Sequence, residues 1–143
     1  MTYTKIFLCC LCCLMLCVLG IAGCTNGTFS GSNSSSCSDY GTGGGYSIKL
    51  CVTGTIIQQG GQTTLIASVR DAQGNPVNDS TRGVSFTSSM GATITAVSSI
   101  TLGSCSTTYT APSATTQPTT AIDQVTASYQ GAFAYVSIEV YKP

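Results

Sequence analysis

From Ser47 to the end of the chain, apolar residues recur at every second position. Ile48, Leu50 and Val52 alternate with Lys49 and Cys51. Leu65, Ala67 and Val69 alternate with Thr64, Ser68 and Arg70, with Ile66 as an apolar residue on the outer face. Val84 and Phe86 alternate with Ser85 and Thr87, and Ile94 and Ala96 follow Gly91. Cys105, Thr107 and Tyr109 form a further set. Val125, Ala127 and Tyr129 alternate with Thr126 and Ser128, and Val136, Ile138 and Val140 with Ser137, Glu139 and Tyr141. Successive side chains of a strand point to opposite faces, so this pattern buries one face of each segment and wets the other. No window carries the three-and-four spacing that an amphipathic helix needs.

Turn chemistry separates the runs: Gln59-Gly60-Gly61, Asp71-Ala72-Gln73-Gly74-Asn75-Pro76, Met90-Gly91, Leu102-Gly103, Ala111-Pro112, Pro118 and Gln130-Gly131. In the second of these Gly74 supplies a positive φ, Pro76 restricts the exit and the Asp71 side chain bonds the turn backbone. Roughly seven strands at this spacing predict an all-β, two-sheet sandwich over residues 47–143, each sheet covering the apolar face of the other.

The run Gly61-Gln62-Thr63-Thr64-Leu65-Ile66-Ala67-Ser68-Val69-Arg70-Asp71-Ala72-Gln73-Gly74-Asn75-Pro76-Val77 resembles the opening of bacterial immunoglobulin-like domains of the invasin/intimin type. There a strand, an Asp-x-x-Gly-x-Pro turn and a small apolar residue lead into a second strand, here Gly83-Val84-Ser85-Phe86. Thr107-Thr108-Tyr109-Thr110-Ala111-Pro112 and Asp123-Gln124-Val125-Thr126-Ala127-Ser128-Tyr129 are similar to the end of that repeat. The resemblance covers about residues 47–142. It implies an immunoglobulin-like sandwich used for adhesion, spacing or carbohydrate binding, with no catalytic residues. One copy replaces the family's tandem array, which argues against a long stalk.

The amino-terminal 23 residues have a different logic. Met1–Lys5 is short and carries one positive charge; Ile6–Leu19 is apolar, with Cys9, Cys10, Cys12, Cys13 and Cys17 among its residues; Gly20, Ala22 and Gly23 are small. Positive start, apolar middle and small-residue end make a secretory signal. The apolar core is short against the ~20 residues of a membrane span. Its five cysteines read as small hydrophobes rather than as metal ligands. Ile21-Ala22-Gly23-Cys24 resembles the lipobox of bacterial lipoproteins. That resemblance implies diacylglycerol on the Cys24 thiol, cleavage before Cys24, and a membrane-lipid partner. Thr25 in place of Asp implies the outer membrane by the Gram-negative pattern.

Between these parts, residues 24–46 are rich in Gly and Ser, including Ser34–Ser36 and Gly41-Thr42-Gly43-Gly44-Gly45. Such composition predicts a flexible linker. The glycine run lacks the Lys-Ser/Thr ending and the preceding apolar strand of a phosphate loop. After Cys24 the chain holds four bases (Lys49, Arg70, Arg82, Lys142) and five acids (Asp39, Asp71, Asp79, Asp123, Glu139). A net charge of −1 with no basic patch argues against nucleic acid as a partner. With only 7% of residues charged, solubility rests on Ser, Thr, Asn and Gln, a composition common in exported β proteins.

With Cys24 lipidated, Cys37, Cys51 and Cys105 remain, so at most one intrachain disulfide forms. Cys51–Cys105 is the candidate considered first because it would close a long loop, although alternation turns Cys51 outward while Cys105 shares a face with Tyr109. Cys37–Cys51 and Cys37–Cys105 stay open.

The chain contains no His, which removes Ser-His-Asp and Cys-His catalysis and the usual zinc sites. Its few acids are scattered, with Asp71, Asp79 and Asp123 expected in turns or at strand edges rather than as a glycosidase pair. Asp71, Asn75, Asn78 and Asp79 bring oxygen ligands into one region, but their spacing does not match the twelve-residue calcium loop. No enzyme activity, cofactor or metal is expected. Tyr135 and Tyr141 lie opposite the inward set and form the candidate ligand face, for stacking on sugar or contacting a protein. The expected protein is therefore a membrane-anchored envelope lipoprotein with a single immunoglobulin-like domain, acting as an interaction or structural module of the adhesion type. The alternative is a carbohydrate-binding module on the same scaffold.

Overall fold

A computed structural model describes residues 34–113 and 119–143. The signal segment, Cys24 and the first part of the expected linker lie outside the described residues. The described chain is all-β, and its two sheets form a sandwich. Its strands are β1 (Ser36–Cys37), β2 (Gly41–Gly43), β3 (Tyr46–Val52), β4 (Ile56–Gln58), β5 (Gln62–Asp71), β6 (Ser85–Ser88), β7 (Thr93–Ile94), β8 (Ser104–Thr110), β9 (Thr120–Tyr129) and β10 (Ala132–Tyr141). One sheet has the order β1-β3-β5-β8-β7 with β2 also paired to β3; the other has the order β4-β10-β9-β6. Five of the ten strands are at least seven residues long, and these are the ones with sustained alternation.

The pleat places the core as the sequence requires. Ile48, Leu50, Val52, Leu65, Ala67 and Val69 of the first sheet face Val125, Ala127, Val136, Ile138 and Val140 of the second, and all are buried. Each fully buried aliphatic side chain contributes about 1.5–3 kcal/mol relative to exposure, so this inner layer is the main favourable term. The β9–β10 hairpin closes through Gln130 (φ 49°) and Gly131 (φ 91°), a two-residue turn of the primed type that matches strand twist. At the Asp71–Pro76 turn the expected chemistry is present. The Asp71 carboxylate accepts hydrogen bonds from the backbone N–H groups of Gln73 (3.0 Å) and Asn75 (2.8 Å), and Gly74 has φ 83°.

Two expectations change. Residues 34–46, read as part of a flexible linker, belong to the sheet: β1 pairs with Val52 and Cys51, and β2 pairs with Tyr46–Ile48. Gly41 and Gly44 are there for contact rather than for flexibility. A Cβ at Gly41 would overlap the Phe133 carbonyl, and one at Gly44 the Gln130 carbonyl. The glycines therefore let the β2–β3 hairpin lie against the backbone of the β9–β10 hairpin.

The disulfide joins Cys37 to Cys51, with Cα atoms 4.0 Å apart, and Cys105 is free. The Cys51–Cys105 pairing is thus corrected, for two geometric reasons. Cys51 is on the outer face of β3 while Cys105 packs against the core from β8, and β5 lies between those strands. Cys37 sits directly across from Cys51 in the antiparallel register, where side chains on one face meet.

Candidate functional site

Asp123 is not at a turn or strand edge. It lies within β9, on the inward parity of Val125 and Ala127, and is fully buried. Its carboxylate accepts hydrogen bonds from the hydroxyls of Tyr109 (2.6 Å), Ser88 (2.6 Å) and Ser89 (2.9 Å) and from the N–H of Met90 (3.1 Å). Burial, and then the Asp123 hydrogen bond and charge, push the Tyr109 hydroxyl far above its ordinary pKa. Every acceptor direction of this buried group is used, so it ties β8, β9 and the β6–β7 turn together. It is a structural bolt with no open side for a substrate.

The remaining carboxylates of interest serve turns. Asp79 accepts from Thr81 N–H, the Thr81 hydroxyl and Arg82 N–H (each 2.9 Å), and from the Tyr129 hydroxyl at 2.9 Å. The Thr81 bonds above all hold its pKa down at about 2, against an ordinary 3.8. Asp71 is likewise lowered, chiefly by Asn75 N–H. Asn78 accepts from Leu102 N–H. The four oxygen-bearing residues of the calcium reading are thus each engaged in hydrogen bonds within the protein, Asp71 and Asn75 within their turn and Asn78 and Asp79 also to Leu102 and Tyr129 across the fold. Among the described residues no group of three or more His, Cys, Asp or Glu side chains converges on a point.

Asp79 sets a pH dependence. Its folded pKa is depressed, so its contribution to stability is whole above the unfolded value and is lost as pH falls through about 2. Melting temperatures measured from pH 5 down to 2 should fall more steeply for the wild type than for Asp79→Asn. Parallel curves would show that the Asp79 turn does not favour the ionised form.

The aromatic residues do assemble a surface. Tyr135 is 58% exposed on the outer face of β10, and Phe133, two residues earlier on the same face, is 61% exposed. Tyr141 shares that face but is half-buried and paired with Gln58 and Thr120. Six residues of strand put it roughly 20 Å from Tyr135, so the two expected tyrosines do not form one site. Tyr135 instead joins Phe133 and Tyr40, which is 42% exposed. A groove of about 480 Å³ runs between the Cys37–Gly41 segment and Phe133–Tyr135, at the edge where the two sheets meet.

The groove has a polar floor. In antiparallel pairing the backbone groups of a strand point alternately to its two edges. Ala132, Ala134 and Val136 face β9, because the hairpin pairs Ala132 with Tyr129. Phe133, Tyr135 and Ser137 therefore direct N–H and C=O groups to the other edge. That edge is covered by β4 at Glu139–Tyr141 and by Gly41 at the Phe133 carbonyl, and the Tyr135 backbone between them is directed to the same edge, beside the groove.

Tyr40 is also held by two cations that are not among the groove-lining residues. Lys49 Nζ lies 5.7 Å and Arg70 Cζ 5.9 Å from the Tyr40 ring centroid, within cation–π range. Arg70 Nε donates to the Tyr40 hydroxyl (3.2 Å) and its Nη1 to the Gly74 carbonyl (2.9 Å). Neither cation is in a salt bridge with a carboxylate among the described residues. Outward parity with Tyr135 was the signal that would have found Phe133. Tyr40 lay in the stretch read as linker and gave none.

No protein-family model matches the chain, and no curated protein matches it. Among solved structures, domains 4 and 5 of the S-layer protein SbsC are similar, with 17% identity and a TM-score of 0.42. That match takes in 73% of this chain and 53% of the other.

Proposed function

We propose that this protein is an exported, lipid-anchored interaction module of the cell envelope that recognises its partner through the groove between the Cys37–Gly41 segment and β10. The observation that carries the reading is the convergence of Tyr40, Phe133 and Tyr135, all well exposed, on one sheet-edge groove. Three large exposed rings at one place are costly to leave in water and are characteristic of contact surfaces. The groove, with its backbone donors and acceptors, offers binding rather than chemistry. The chain has no His, and its one fully buried carboxylate is occupied.

The tether rests on the lipobox-like Ile21-Ala22-Gly23-Cys24 and on the signal-like zones before it. Two or three acyl chains, at ~0.8 kcal/mol per buried methylene, would anchor the module firmly. The resemblance to adhesion-type immunoglobulin-like domains and the Thr at position 25 favour display at the outer membrane. Cys24→Ala should leave an unlipidated, uncleaved precursor, read by mass spectrometry of the membrane fraction. A normally processed terminus in that variant would contradict the anchor.

A further inference from the structure

Resting on the groove as the recognition surface, we infer that its ligand is an extended peptide of the partner, added as a short strand to the edge of β10 and carrying β-branched side chains at alternate positions. The ground for this is the backbone. One edge of β10 is paired along its whole length with β9. On the other, Phe133, Tyr135, Ser137, Glu139 and Tyr141 present their N–H and C=O groups. β4 takes the end at Glu139–Tyr141, and the Thr55 carbonyl accepts the Glu139 N–H at 2.7 Å. Gly41 lies against the Phe133 carbonyl. Between these two covers no described residue pairs with the N–H or C=O of Tyr135 or Ser137. An unpaired edge is a template for one more strand.

The chain passes around this window rather than across it. The Ser34 and Thr55 hydroxyls are 3.0 Å apart at the β4 end, and Gly41 stands at the other. The residues between follow the opposite sheet, with Cys37 paired to Cys51 and Gly41 to Ile48. Four steps on one strand against three on the other make a bulge at Ser38–Tyr40, and this segment is the far wall of the groove. The window is short. From Phe133 to Glu139 the strand runs about 20 Å, and β4 already holds the neighbouring part of that edge with three residues. The exposed rings fit the same occupant. Phe133 and Tyr135 have Ser128 and Thr126 opposite them on β9, and no strand beside them on the groove side. A β-branched side chain of an added strand fills that flank as a cross-strand neighbour. Asp39 is the one charged lining residue, so recognition rests on backbone pairing and ring contact. A sugar chain meets the rings, but its hydroxyls do not repeat at the strand spacing that Tyr135 and Ser137 set.

The test uses the full chain, solubilised in detergent, and the capped peptide acetyl-Thr-Val-Thr-Val-Thr-amide as probe. Two analogues carry N-methyl groups, one on the valine nitrogens and one on the threonine nitrogens. Hydrogen exchange at single-residue resolution should find the Tyr135 and Ser137 amides fast in the free protein, with Ala134 and Val136 slow. The peptide should slow Tyr135 and Ser137 by at least about tenfold. One of the two analogues, the one whose methyl groups point at β10, should lose that protection and the binding with it. Phe133→Ala should weaken the peptide, and so should Ser137→Pro, which removes an N–H that β9 does not use. Phe133 is exposed, so its variant keeps the test interpretable even where Ser137→Pro folds poorly. Equal binding of the peptide and both analogues, lost in Phe133→Ala, would overturn strand addition while leaving the groove a recognition surface. Binding that neither variant weakens would place the peptide elsewhere and overturn both. No binding of the peptide would overturn the inference. So would Tyr135 and Ser137 amides already protected in the free protein, by its own amino-terminal segment if the protection is independent of concentration and by a second copy if it is not.

Discussion

Asp123→Ala should lower the unfolding free energy by about 2–5 kcal/mol, because it takes the acceptor from several buried donors at once. The mechanism is specific. The carboxylate receives the Tyr109, Ser88 and Ser89 hydroxyls and the Met90 N–H. Its removal leaves these donors facing a small cavity with no acceptor. Each buried group left without a partner costs about 1–3 kcal/mol, less where a serine hydroxyl turns to another acceptor. For a domain of this size, melting should fall by roughly 4–8 °C per kcal/mol. Ser137→Ala, on the exposed outer face of the same sheet, is the control and should stay within about 0.5 kcal/mol. A melting temperature for Asp123→Ala within a few degrees of the wild type would show that the bolt is misplaced.

The second large effect belongs to the Cys37–Cys51 bridge. The cysteines are 14 positions apart, and in the chain-entropy treatment a loop of that length contributes about 3 kcal/mol. The double variant Cys37→Ser/Cys51→Ser leaves Cys105 as the one cysteine among the described residues and so avoids mispairing. It should melt well below the wild type under oxidising conditions and match the reduced wild type. The loss also has a local form. β1 is only two residues long, and without the bridge its hold on β3 is reduced to that short pairing and the two Ser38–Leu50 hydrogen bonds beside it. The Cys37–Gly41 wall of the groove should then become the first part of the sandwich to exchange its amides. A variant as stable as the oxidised wild type would mean that the bridge adds nothing.

Much of this fold is legible in the sequence because strand parity is a local signal. Ile48, Leu50 and Val52, or Val136, Ile138 and Val140, announce their inward face without reference to any other part of the chain. The Asp71–Pro76 turn is legible for the same reason, since its hydrogen bonds close within five residues. What sequence reading missed depends on contacts across the fold. Gly41 and Gly44 look like spacer residues until the Phe133 and Gln130 carbonyls are seen against them. Cys37 looks like part of a tail until register places it opposite Cys51. Asp123 carried a usable signal, its shared parity with Val125 and Ala127, but an acid on an inward face makes sense only once Tyr109, Ser88 and Ser89 are brought to it. The groove was half visible. Tyr135 was expected on an outward face, whereas its companions come from a neighbouring outward position, Phe133, and from the segment thought to be linker, Tyr40.

Everything said of the groove requires the Cys37–Gly41 segment to be stitched to the edge of the sandwich. Peptide mapping by mass spectrometry of the unreduced protein, alkylated under denaturing conditions, tests that stitch. It should recover the peptides of Cys37 and Cys51 linked to each other and the Cys105 peptide alkylated. A Cys51–Cys105 linked pair, or three alkylated cysteines, would contradict it.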